Sequence, residues 1–553
     1  MIINVDKTNL NKLLGVPNRQ LTIPAYQRPY AWEEEQVDEL WHDIVENLEG
    51  NHFMGSVVLC SPDSSRPEVI DGQQRLTTVI LLLALIRDRY QGLKPDLVGR
   101  VQQFLENAYA EPDLRFKFRP GNANAKVFTD FILCAPDNTS RRDWNSVRQL
   151  DSHELTRNQR MIENVERLGG YLEQRLANSA DPLQLLTQIE RKIMTGLEFV
   201  VIDVPDIANA FIIFETLNDR GLALSAGDLL KNHLLAAAAS ARESVQDLAE
   251  DWDSIIDSLE GGDITRFLRH YLLTQHAQVQ KDDVFSLFKK EVASRGVKAL
   301  VKDLKLMARF YGQFIKPSLV DDASVREVYR NLNILRASMC YSALLAASAV
   351  LDNAALCEFA RLCEVLTYRY STICSKDSKD LERLYHQAAR VLSTQGASGV
   401  DEARGILKVA LPGREEFVLG FRRQSMGRQY LVNYTFRAIE NHLSPDEKTL
   451  QNTQQVHIEH IIPQTLSEDW RKALGDDVEQ HQLYLNRWGN LTLLGGKLNS
   501  GASNLPFEQK KARYLQSKIA MAAELNDYPQ WDLNAIEKRQ ERLAGIAEKI
   551  WQI

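Results

Sequence analysis

His457-Ile458-Glu459-His460-Ile461-Ile462-Pro463-Gln464 is followed downstream by Trp488-Gly489-Asn490-Leu491-Thr492-Leu493-Leu494, then Lys497-Leu498-Asn499, then Asn504-Leu505-Pro506-Phe507. Two short β-like runs enclose a polar loop between Val456 and Leu494, and a helix opens after them. The order is strand, loop, strand, helix. Pro506 suits the first helical turn, with Asn504 or Ser503 as candidate caps. The residue types suit one divalent metal set against a phosphodiester. A carboxylate (Glu459) and an amide oxygen (Asn499) are hard ligands of the kind Mg²⁺ or Mn²⁺ prefers. A neutral imidazole (His460) can take a proton from an attacking water, while the metal offsets charge building on the phosphate. Asn490 is placed to orient the histidine or its loop. His457 shares a strand face with Glu459, because strand side chains alternate; it is a further ligand or a supporting partner. The pattern is not H-E-x-x-H and has no neighbouring cysteine, which disfavours a zinc protease.

Working outward, this stretch belongs to a C-terminal region of about 414–553 that carries four of the eleven histidines: His442, His457, His460 and His481. Lys510, Lys511, Arg513 and Lys518 follow on one predicted helix, either as a solvated face or as phosphate contacts. Before it, 241–413 is rich in Ala, Leu, Arg and Glu at three- and four-residue spacings, as in Ser342 to Leu366, and reads as a helical array without a repeat of fixed length. Pro412-Gly413 marks the expected boundary. The N-terminal region, 1–240, mixes β-like runs (Phe53 to Cys60, Glu68 to Ile70, Phe199 to Val204) with helices. One starts near Gly72 and runs through Val79 to Asp88; another is marked by Ile162, Val165, Leu168, Leu172 and Leu176.

A second constellation lies in that first region: Pro24-Ala25-Tyr26-Gln27-Arg28-Pro29-Tyr30-Ala31-Trp32 with Asp71-Gly72-Gln73-Gln74-Arg75-Leu76-Thr77-Thr78. The latter follows a strand and opens a helix, whose N-terminal N–H groups favour anions. Gly72 permits the tight turn. Arg75 offers a planar cationic fork, Asp71 suits a metal, and Gln73 and Gln74 can donate to phosphate or base. No G-x-x-x-x-G-K-[ST] is present, so this is not a P-loop. Phe214 to Gly221 and Leu224 to Lys231 add a turn and a helix start, with Ser225 and Asp228 close to a capping box.

Length and composition bound these readings. The 553 residues suggest several domains. With 44% apolar and 25% charged residues, the chain is not collagenous, disordered or of low complexity. A net charge of −8 excludes a histone-like packer but not a local basic patch. From Gln455 to Ala520 there are eight Lys/Arg against seven Asp/Glu, so the acidic surplus lies elsewhere. No apolar run is long enough for a membrane span, no secretory leader pattern opens the chain, and the six cysteines form no C-x-x-C pair. The expectation is a cytoplasmic protein with free, buried thiols and no membrane partner.

The C-terminal residues resemble the ββα-metal, or HNH, nuclease motif in the variant found in the D half of GmrSD-type restriction enzymes. The N-terminal signatures resemble the S half of the same systems, which is similar to the ParB/sulfiredoxin-like fold. The resemblance implies an α+β, mostly helical chain in three parts: a nucleotide-binding domain (1–240), a helical connector (241–413) and an HNH nuclease domain embedded in helices (414–553). It implies His460 as general base, Glu459 and Asn499 as metal ligands and Asn490 as the central Asn. Glu459 departs from the Asp found in many members. Asp71, Gly72, Gln73, Gln74 and Arg75 would line a nucleoside triphosphate site, with Tyr26, Gln27 and Arg28 on a facing loop and Asn218 and Arg220 reaching the nucleotide. The implied activity is nucleotide-regulated, Mg²⁺- or Mn²⁺-dependent cleavage of double-stranded, modified phage DNA in anti-phage defence, with self-association left open. Two alternatives stand beside it: a nucleoside triphosphate hydrolase that signals or depletes nucleotides and carries a minor or RNA-directed nuclease domain, and a non-catalytic DNA-binding regulator.

Overall fold

The computed structural model describes the whole chain except residues 1–3, 25, 26, 28, 108–113, 208, 211, 212, 214–225, 242 and 446–455. It is mostly helical, 67% of it helix, with a small mixed sheet and a separate strand pair. The chain forms two compact units: 1–254 with 288–302, and 255–287 with 303–553. The segment 303–413 therefore packs in one unit with the C-terminal region, and Pro412-Gly413 separates two helices inside that unit.

The first unit holds a six-stranded sheet of β1 (Asn4–Asn9), β2 (Leu21–Thr22), β3 (His52–Cys60), β4 (Glu68–Asp71), β5 (Phe118–Arg119) and β6 (Leu197–Val204), in the order β1-β6-β3-β4-β2-β5. β3 runs parallel to β6 and antiparallel to β4, and β4 runs parallel to β2. The three strands legible as apolar runs form the centre. β1 was not legible because Asn4–Asn9 is an exposed polar edge without an apolar face. Helix α1 (Gln73–Leu93) leaves β4 through Gly72. It is apolar on nearly all sides, with Leu76, Val79 to Leu83 and Ile86 fully buried, as expected of a helix at the centre of a core. Helix α2 (Ser152–Ala177) buries the predicted stripe Ile162, Val165, Leu168, Leu172 and Leu176.

In the second unit, 303–413 is helical with no strand among the described residues. The stretch expected as one helical pattern from Ser342 divides into Tyr341–Val350 and Asn353–Leu366, because the Asp352 side chain accepts from Ala355 N at 2.9 Å and starts a new helix. The strand pair β7 (Val456–His460) and β8 (Leu491–Gly495) is antiparallel, with Glu459 opposite Thr492 and His460 opposite Leu491. Helices α3 (Gly496–Ala502), α4 (Phe507–Tyr514) and α5 (Leu533–Ile550) follow, with a one-turn helix at Ala520–Ala523 between α4 and α5. Pro506 occupies the cap position of α4 itself, so neither Asn504 nor Ser503 caps it; Ser503 instead closes α3 through Ser503 N to Asn499 O. Beyond α5, Trp551 is fully buried, stacked on Tyr368 at 4.1 Å, and its indole donates to Tyr434 Oη at 2.8 Å.

All six cysteines are free; Cys60, Cys134, Cys340 and Cys363 are buried. Among the described residues no helix is long and apolar enough to cross a membrane.

Candidate active site

One buried side chain, Asn490, ties together several points of the segment between β7 and β8. Asn490 is fully buried. Its Oδ1 accepts from Ile462 N at 2.8 Å, and its Nδ2 donates to Ile462 O at 3.1 Å and Leu485 O at 3.0 Å. Asn490 therefore fixes the loop rather than the histidine ring. Helix α5 braces the same turn from behind. The buried Arg539 guanidinium donates to Gly489 O at 2.9 Å and Leu491 O at 2.6 Å, and Gly489 N donates to Gln540 Oε1 at 3.1 Å. Gly489 is required because any Cβ there would overlap the Ile536 carbonyl.

His460 ends β7. Its Nε2 lies 3.2 Å from Asn486 Oδ1. Burial pushes its pKa below the ordinary value, against the raising influence of Asn486, and the nearby charge of Lys510 depresses it further. The ring is thus neutral at neutral pH, the form that accepts a proton. His481 is buried, with Nε2 2.9 Å from Pro463 O, and supports the loop. His442 is exposed on Gln429–Leu443, so the sequence clustering of histidines does not bring all four together.

Glu459 faces away from solvent. Its Oε1 lies 2.6 Å from Lys510 Nζ and accepts from Tyr514 Oη at 3.3 Å; Lys510 Nζ also donates to His460 O at 2.9 Å. Burial raises the Glu459 pKa, offset by the attraction of Lys510, and lowers that of Lys510. Lys510 is accordingly not part of an outward basic face. Lys511 lies 3.1 Å from Glu508, Arg513 packs beside Gly501, and Lys518 is exposed beyond the helix end. Asn499 sits in α3, which packs on β7 and β8, and its Oδ1 is buried without a hydrogen-bond partner. His457 is exposed near the start of β7.

At the N-terminal constellation, Gly72 adopts φ +88°, and a Cβ there would press on Val57. The strand–turn–helix order is as predicted. Gln74 and Thr78 of α1, however, are turned to the Pro24–Trp32 loop. Gln74 Oε1 accepts from Ala31 N at 2.8 Å and its Nε2 donates to Pro29 O at 3.2 Å. Tyr30 Oη is 2.8 Å from Thr78 Oγ1, and Gln27 Nε2 donates to Ile70 O at 3.1 Å. The Arg75 guanidinium donates to Met54 O, crosses over Gly55, and lies 3.7 Å from Asp71. The structure thus brings Gln27, Asp71, Gly72, Gln73, Gln74 and Arg75 to one turn, while Tyr26, Arg28, Asn218 and Arg220 lie outside the described residues.

Two family models match the chain: GmrSD restriction endonuclease, N-terminal domain, over residues 10–235, and GmrSD restriction endonucleases, C-terminal domain, over residues 415–546. The chain belongs to the GmrSD restriction endonuclease family. No curated protein matches it. Membership makes the chain a restriction nuclease of Type IV character with DNA as its substrate class. The N-terminal GmrSD match spans the loop and the Gly72 turn, and the C-terminal match spans β7, β8, α3, α4 and most of α5.

Asn486, Arg539 and Gln540 escaped the sequence reading, and Lys510 was read there as a solvated face or a phosphate contact rather than as a buried partner. Asn486 lies in a polar loop with no periodic pattern to mark it. Lys510 was detectable: Phe507, Lys510 and Tyr514 fall three and four residues apart, placing the lysine on an apolar helix face. Arg539 and Gln540 likewise interrupt the buried stripe of α5.

Proposed function

We propose that this restriction nuclease hydrolyses DNA phosphodiesters at the β7–β8 pair through an HNH-type mechanism, with His460 as general base. The observation that carries this is a neutral His460 at a strand end, its ring aligned by Asn486 and its loop fixed by Asn490. The uncharged ring takes a proton from water attacking the phosphorus. Asn490 and Arg539 hold the strand-to-loop turn so that the base does not wander.

The residues fit a divalent metal in one respect. The Asn499 amide oxygen is buried and unsatisfied, a hard donor suited to Mg²⁺ or Mn²⁺. Among the described residues no three His, Cys, Asp or Glu side chains converge as a ligand set, so Asn499 and water suit an ion that retains much of its hydration. When bound, such an ion would stabilise charge on the phosphate and leaving oxygen.

The N-terminal turn is proposed to take a nucleoside triphosphate that regulates cutting, on a ParB/sulfiredoxin-like scaffold. The support is the strand–Gly72–helix turn, whose first N–H groups favour anions; the Gln74 and Arg75 side chains serve that site by shaping its walls. Modified phage DNA is the proposed substrate. The test is cleavage of modified and unmodified DNA, with and without each triphosphate, in Mg²⁺ and Mn²⁺. His460→Ala is expected to abolish cleavage while leaving the fold and nucleotide binding intact. Cutting at the wild-type rate by that variant would refute the assignment.

A further inference from the structure

Resting on the metal-dependent reading above, we propose that Glu459 is not a metal ligand in this chain but the anchor that ties β7 to α4, which leaves Asn499, already given that role, to supply the protein's oxygen to the metal. Three observations converge on this. The Glu459 carboxylate already neutralises a cation: Lys510 Nζ is 2.6 Å away, and the two side chains are 7% and 0% exposed. The same ammonium donates to the His460 carbonyl, so the pair clamps the main chain of the proposed base onto α4. Tyr514, one turn further along α4, donates to the same carboxylate oxygen.

A divalent ion within bonding distance of that oxygen would face the Lys510 charge at close range in a poorly solvated site, where like charges repel strongly. Breaking the pair to admit the ion would strand a buried ammonium, which is severely destabilising. Mg²⁺ also holds its waters tightly and needs room for them, which a carboxylate closed in by Lys510 and Tyr514 does not provide. Asn499 has the opposite character: a buried amide oxygen with no partner. The longer side chain of Glu, compared with Asp, allows the carboxylate to reach α4.

The test uses the full-length chain without nucleotide, in wild-type form and as Glu459→Met, Lys510→Met, the double variant and Asn499→Ala. Mn²⁺ affinity is read from the electron paramagnetic resonance signal of free Mn²⁺, and stability from thermal melting. The expected result is that each single Met variant melts well below wild type, and that the double variant recovers most of the loss, since an apolar pair of similar volume replaces the buried ion pair. The double variant should keep Mn²⁺ affinity within about threefold of wild type, while Asn499→Ala weakens it about tenfold or more. A folded double variant that has lost Mn²⁺ binding overturns the proposal, as does unchanged melting of both single variants. Should wild type bind no Mn²⁺, the metal-dependent reading and the role given to Asn499 fall together, while the melting cycle still decides whether the pair is an anchor.

Discussion

His460 Nε2 and Asn486 Oδ1 lie 3.2 Å apart, and this contact is the one side-chain hydrogen bond the structure gives the His460 ring among the described residues. It selects the tautomer with a proton on Nε2 and leaves Nδ1 as the bare nitrogen. Because burial holds the His460 pKa below its ordinary value of about 6.5, the acidic limb of the pH–rate profile should fall below that value. Asn486 favours the protonated ring, so Asn486→Ala should move the limb further down while lowering the plateau about tenfold or more. Asn486→Asp should move it up. A limb that stays put in both variants would show that the contact does not govern the base.

Asn490→Ala leaves Ile462 N, Ile462 O and Leu485 O without their buried partner. The expected cost is about 3 kcal/mol, measured by urea unfolding followed through tryptophan fluorescence. Cleavage should fall as well, because the loop that follows the proposed base loses its fixed course.

Gly489→Ala introduces a methyl group where the Ile536 carbonyl already sits. Either the turn or α5 must shift, and the loss should exceed about 3 kcal/mol. Melting of Gly489→Ala at or near the wild-type temperature would show that α5 does not press on this turn as described.

His270 in the second unit is buried against Tyr311, with Nδ1 2.9 Å from Oη, and its pKa is pushed down to about 3, chiefly by burial and secondarily by Arg266, Arg269 and His386. The unfolded chain binds a proton near pH 6.5 that the folded chain refuses. Stability is therefore full above about pH 6.5 and declines as pH falls from there toward 3, with a slope of up to about 1.4 kcal/mol per pH unit from this group. His270→Gln should flatten that slope in pH-dependent denaturation.

Gln74→Ala removes the amide that grips Ala31 N and Pro29 O. Faster cleavage within Pro24–Trp32 under limited proteolysis is the expected outcome, with the core of α1 unchanged by circular dichroism.

Much of this was legible in the sequence, for reasons that separate along physical lines. β3, β4, β6, α1 and α2 announced themselves because burial imposes a period on apolar residues. The short β2 and β5 were not legible, since two residues carry no period, and the polar edge β1 has no buried face to advertise. At the site, His460, Asn490 and Asn499 stood out by motif, and the loop role of Asn490 needed coordinates. Glu459 and Gln74 show the limit: motif spacing marks a polar residue as significant without saying whether it faces a ligand or another part of the chain.

The burial of Trp551 against Tyr368 and Tyr434 has a consequence for how the enzyme is made. During synthesis the β7–β8 pair leaves the ribosome before α5, whose Arg539 and Gln540 hold its turn, and before Trp551, which seats α5. A chain made only as far as β8 therefore carries the strand pair without the helix that braces its turn. The turn of the proposed nuclease site therefore gains its brace only after α5 has been made and has docked onto it.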